Sequence, residues 1–111
     1  MAESELATRL VVFLTEDDRA GHRSLYETLL KLAREQGLAG ATVWRGVEGF
    51  GAAGIVRTSR FPDAASGLPV MLEVIDTPEK VESFLDALAE LAPGTFVTRE
   101  DVRVSRYSKR A

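Results

Sequence analysis

Leu10-Val11-Val12-Phe13-Leu14 is an uninterrupted apolar run, and Pro69-Val70-Met71-Leu72-Glu73-Val74-Ile75 is a second, broken only by Glu73. Runs this short and this apolar read as strands buried on both faces. Each is followed by a segment with helical spacing. Across 22–36, Leu25, Leu29 and Leu32 recur with charged residues opposite, and Gly37 supplies a stop. After the second run, Thr77 reads as an N-cap and Pro78 as the first helical residue. Val81, Phe84, Leu85, Leu88 and Leu91 form the apolar stripe of that helix, and Pro93-Gly94 ends it.

Two further strands complete the pattern. Residues 41–48 alternate, with Thr42, Trp44, Gly46 and Glu48 on one face and Val43, Arg45 and Val47 on the other. The stretch 96–107 reads as the last strand, with a turn or bulge expected near Arg99-Glu100-Asp101. The order strand-helix-strand-strand-helix-strand predicts an α+β domain. The two most apolar strands belong in the centre, giving spatial order 4-1-3-2 with both helices on one face of an antiparallel sheet. The other face, carrying Val11 and Phe13 or their alternates with Trp44 or Val43, is left bare and calls for a second copy of the chain.

Between the second and third strands, 49–68 is rich in glycine, proline and serine and has no sustained period. A connection this long is unusual inside a compact domain, and part of it is expected to extend the flanking strands as a ribbon. The expected organisation is an N-terminal tail at 1–8, one domain at 9–107 and a C-terminal tail at 108–111.

Composition narrows the chemistry. The 111 residues include no cysteine, so thiolate metal sites, disulfides and cysteine nucleophiles are excluded. The formal net charge of −3 argues against a nucleic-acid binder. No apolar stretch approaches the roughly 20 residues of a membrane span, and the N-terminus lacks the order of a signal peptide, so a cytoplasmic setting without membrane insertion is expected. His22 is the single histidine and sits in a polar context. No serine lies in a nucleophile-elbow pattern. The acidic turn Glu16-Asp17-Asp18 lacks the spacing of a calcium loop. No catalytic residue and no metal site is therefore expected.

Two features remain. Glu73 interrupts an apolar strand, where an unpaired carboxylate is costly; it is either ion-paired or set to accept hydrogen bonds from a ligand. Gly40-Ala41-Thr42-Val43 and Gly49-Phe50-Gly51 put glycines at strand ends, where backbone N–H groups can approach a phosphate.

These segments resemble the second strand and loop base of the PII signalling proteins, and Leu68-Pro69 followed by Glu73 resembles their loop exit and returning strand. Further blocks, Glu16-Asp17-Asp18-Arg19, Leu25-Tyr26-Glu27, Arg45-Gly46-Val47-Glu48-Gly49-Phe50-Gly51 and Val97-Thr98-Arg99-Glu100-Asp101-Val102, resemble a bacterial PII-like family of uncharacterised function. The resemblance implies a ferredoxin-like βαββαβ sandwich that assembles as a homotrimer and binds an adenine nucleotide between subunits. It implies no other cofactor. The 49–68 loop, the T-loop of that family, is implied to signal to a membrane transporter, a channel or an enzyme. By the same resemblance the ligand-binding residues are Gly40, Thr42, Gly49, Phe50, Gly51, Glu73, Gly94 and Arg106. The chain departs from the PII pattern at Ala52-Ala53, where PII has an Arg and a Gln, and at Thr95, where PII has a Lys. Both changes imply fewer fixed phosphate donors. Two alternatives share the element order: a dimeric α+β barrel enzyme, for which one histidine is a thin supply, and a CutA-like metal-responsive trimer, which a cysteine-free chain serves poorly.

Overall fold

A computed structural model describes residues 2–60 and 67–107; positions 61–66 of the expected loop and the 108–111 tail lie outside the described residues. In chain order the elements are β1 (Ala2–Thr15), β2 (Arg19–Ala20), β3 (Arg23–Ser24), α1 (Leu25–Glu35), β4 (Ala41–Arg45), β5 (Glu48–Gly49), β6 (Arg57–Thr58), β7 (Pro69–Asp76), α2 (Pro78–Leu91) and β8 (Phe96–Tyr107). The main sheet runs β4-β7-β1-β8 and its pairings are all antiparallel. Counted over the four long strands, this is the expected order 4-1-3-2.

Side-chain alternation along β1 and β7 explains the layering. Leu10, Val12, Leu14, Val70, Leu72 and Val74 all point to the helical side and are buried there. Against them pack Leu25, Leu29 and Ala33 of α1 and Val81, Phe84 and Leu88 of α2. The Thr77 hydroxyl caps α2 by accepting from the Lys80 amide at 3.3 Å, with Pro78 in the first turn.

Several sequence expectations need correction. Residues 2–8 are not a tail: β1 begins at Ala2 and pairs with β8 from its first residue. Backbone pairing with β8 holds this stretch, so the strand needs no apolar run to continue. No bulge interrupts β8 near Arg99, because its register with β1 is unbroken from Phe96 to Tyr107. The helix expected from residue 22 starts at Leu25, after the small β2–β3 hairpin turns through Gly21 and His22. Leu91 is 42% exposed and does not join the α2 stripe, since the helix ends there.

The base of the 49–68 loop is anchored at three points. β5 and β6 pair as a short ribbon, Glu48 opposite Thr58 and Gly49 opposite Arg57. The Gly46 amide donates to the Pro69 carbonyl at 2.7 Å, and a Cβ on Gly49 would lie only 3.0 Å from the Pro69 ring. From the acidic turn, the Glu16 amide donates to the Leu68 carbonyl at 3.0 Å, while the Glu16 carboxylate pairs with Arg45 at 2.9 Å. The ribbon has its own polar clasp, for the Thr58 hydroxyl and then the Arg60 guanidinium hold the Glu48 carboxyl below the usual carboxylate range.

Two substitutions test this account. Phe84 is fully buried between the sheet and α2, so Phe84→Ala should cost about 3–5 kcal/mol in urea denaturation. Gly67 has φ +70°, and a Cβ there would come within 2.6 Å of an Asp17 carboxylate oxygen. Gly67→Ala should therefore cost about 1–2 kcal/mol. Adding Asp17→Ala should recover only part of that loss, because the backbone strain remains. Full recovery in the double variant would show that the clash alone mattered.

Candidate functional site

The face of the sheet away from the helices collects the other half of each alternation. Directly opposed residues share a face, so the register puts Val11 beside Glu73 and Thr98, and Phe13 beside Met71 and Phe96. It also sets Thr42 beside Glu73 and Trp44 beside Met71. Phe13 and Phe96 meet edge to face with ring centroids 5.5 Å apart. Phe13, Trp44 and Phe96 are 41%, 52% and 68% exposed, a bare aromatic patch on an otherwise folded domain.

Glu73 has a partner within the chain. Arg9 of β1 donates through Nε and Nη2 to Glu73 Oε2 at 3.1 and 2.8 Å, and through Nη1 to Glu100 Oε1 at 2.9 Å. These two carboxylates, Glu73 foremost, push the Arg9 guanidinium up from its ordinary value and keep it charged. Of the two readings open for Glu73, the ion pair is thus realised. Glu73 Oε1 has no such bond among the described residues and remains available to a ligand hydroxyl or amine.

Next to this pair lies a cleft of about 440 Å³. Its floor is Thr42 and Glu73, its inner rim is Gly40 and Asp76, and its outer wall carries Glu5 and Arg106. The wall exists because β7 pairs with β1 only from Thr8 onward, which leaves the first residues of β1 paired with β8 alone. Arg106 Nη1 donates to Glu5 Oε1 at 3.0 Å across the two strands. Asp76 fixes the inner rim by accepting from the Ala39 amide at 2.8 Å and the Thr77 amide at 2.7 Å.

Four of the eight residues singled out from the sequence therefore come together: Gly40, Thr42, Glu73 and Arg106. The other four do not join them. Gly49 ends β5, with Phe50 and Gly51 just after it, beyond the far end of β4, and Phe50 is 73% exposed. Gly94 lies in the turn before β8, at the end of that strand opposite Arg106. From Gly40 to Gly46 alone the chain extends by roughly 20 Å. The chain thus presents two half-sets at opposite ends of one sheet.

Glu5, Arg9, Asp76 and Glu100 lie at this site and were not among the sequence candidates. A charged residue at position 9, in phase with Val11 and Phe13, marks Arg9 as a bare-face residue able to meet Glu73. Glu5 carried no signal once 1–8 was read as a tail. Among the described residues no group of three or more His, Asp or Glu side chains is placed to hold a metal ion, and no helix is long and apolar enough to cross a membrane.

Comparison with known proteins agrees with this architecture. The chain is 38% identical over 95 residues to a UPF0166 protein of Aquifex aeolicus (strain VF5), covering 86% of this chain and 90% of that one. Its fold matches CPII from Thiomonas intermedia K12, bound to ADP and bicarbonate, with a TM-score of 0.67 at 18% identity over 94% of this chain and 93% of that one. A second structure of CPII, a nitrogen regulatory PII-like protein, bound to ADP, AMP and bicarbonate, gives the same score and identity over 96% and 100%. The fold is thus the ferredoxin-like α+β sandwich of PII-like proteins. Residues 7–104 match the family model DUF190, Uncharacterized ACR, and the chain belongs to that family.

Proposed function

We propose that this protein is a non-enzymatic regulator that senses a small ligand. The ligand is an adenine nucleotide, held between subunits of a homotrimer, and the 49–68 loop reports its presence. One observation carries the reading: the two half-sets sit at opposite ends of an exposed aromatic sheet face. A ligand that uses both needs one end of a first chain against the other end of a second. Such a head-to-tail contact is heterologous, and three copies close it into a ring while covering the face.

In that ring the cleft at Gly40, Thr42, Glu73 and Arg106 receives the nucleotide, with Glu73 Oε1 accepting from the sugar or base and Arg106 meeting phosphate. Gly49, Phe50, Gly51 and Gly94 of the adjoining subunit supply backbone donors from the other side. A ligand in this position touches the loop base, which is how occupancy reaches the loop. The exposed Val47, Phe50, Ile55 and Val56 flanking the ribbon suit contact with a downstream transporter, channel or enzyme. The CPII structures bound to ADP support the choice of ligand, and a cytoplasmic setting suits it.

Two measurements test the proposal. Light scattering at micromolar concentration should give the mass of three chains; a stable monomer or dimer would refute the ring. Calorimetry with AMP, ADP and ATP should detect binding below millimolar. Arg106→Ala should weaken it by about 1.5–3 kcal/mol, the scale of a hydrogen bond to a charged group, and unchanged binding in that variant removes Arg106 from the site. Bound nucleotide should also slow tryptic cleavage after Arg57 and Arg60, at the loop base.

A further inference from the structure

The cleft has an excess of negative charge for a phosphate site. Three carboxylates, Glu5, Glu73 and Asp76, line it beside one guanidinium, that of Arg106. Arg106 is itself held by Glu5 at 3.0 Å. Behind the cleft, the charge of Arg9 is matched by Glu73 and Glu100. The N-terminus of α2 opens beside the cleft and is a natural place for an anion. Here it is already served: Asp76 accepts from the Thr77 amide, and the Thr77 hydroxyl accepts from the Lys80 amide. Lys80 Nζ donates to the Gly37 carbonyl at 3.2 Å. At the other end of the sheet, Arg45 is paired with Glu16.

From this arrangement we infer that the cleft accepts a nucleoside monophosphate and turns away a triphosphate, and that Glu5 sets the limit by occupying on Arg106 the place of a ligand phosphate. The inference rests on the nucleotide reading above and goes beyond it by naming the ligand class and the residue that selects it. A monophosphate carries about −1.5 to −2 charges near neutral pH, and one such group can displace Glu5 from Arg106. Each further phosphate adds charge beyond what Arg106, the one cation lining the cleft among the described residues, can match, and must sit within a Debye length, about 8 Å at physiological salt, of the displaced Glu5 and of Asp76. Glu73 and Asp76 meanwhile suit the neutral end of the ligand, where hydroxyl and amino groups donate. Glu5 and Arg106 are both well exposed, so their pair is weak enough for a ligand to open.

The test is calorimetric titration of AMP, ADP and ATP, without divalent cations, into the parent protein and into Glu5→Gln. In the parent, affinity should fall from AMP through ADP to ATP by at least about tenfold overall. Glu5→Gln keeps the size of the side chain and removes its charge, so it should narrow that gap about threefold or more, chiefly by strengthening ATP. Raising salt from 50 to 500 mM should narrow the gap in the parent as well, an outcome that depends on no variant. ATP binding as tightly as AMP, or a gap unmoved by both Glu5→Gln and salt, would overturn this inference and leave the nucleotide reading standing. Failure of all three nucleotides to bind would overturn both.

Discussion

Hydrogen bonding along both edges of β1 is the constraint on which the other elements depend. Residues 8–15 pair with β7 on one side while residues 2–13 pair with β8 on the other. Its alternation sends Leu10, Val12 and Leu14 into the helical layer and Arg9, Val11 and Phe13 onto the bare face. A one-residue slip against either neighbour would exchange these two sets, exposing the core and burying Arg9 beneath the helices. The burial of Leu10 and Val12 therefore fixes more than the core. It aligns Arg9 with Glu73 and Glu100, and it sets the overhang of β1 past β7 that makes the outer wall of the cleft.

That overhang divides the molecule into two ends with different chemistry. One end holds the cleft, with charged side chains on two walls and a backbone rim fixed by Asp76. The other holds the ribbon, clamped by Pro69 and the acidic turn at residue 16. Between them lies the aromatic patch of Phe13, Trp44 and Phe96. The chain is thus polar along the sheet axis, and a contact that joins unlike ends covers the patch as it brings the two half-sets together. In the proposed ring, ligand binding and assembly are the same geometric event.

Ion pairs on the bare face contribute modestly to stability, because they are half-exposed and screened. Their larger effect is on what the surface can bind. Arg9 and Arg106 each carry an acidic partner already. In the proposed site a ligand competes with those partners, and the strength of the competition depends on how much negative charge the ligand brings.

The sequence by itself determined the two helices, the four long strands and their order, and which residues along each strand alternate, while leaving open which set faces the helices. These follow from periodicity, which is local: the apolar runs at 10–14 and 69–75, the stripes of Leu25 and Leu29 and of Val81 and Phe84, and the Thr77-Pro78 start. The family-like segments also pointed to Gly40, Thr42, Glu73 and Arg106. Tertiary structure alone decided which of the eight candidates meet. Gly40 and Gly49 are close in sequence and far apart in space, since an extended strand separates them, while Glu5 and Arg106 are brought together only by the β1–β8 register. Polar strand ends such as 2–8 carry no hydrophobic period, because their pairing is held by backbone hydrogen bonds that any residue but proline can make. Those bonds leave no mark in the side-chain pattern, so the outer wall of the cleft, with Glu5 in it, emerged only when the two strands were seen to pair.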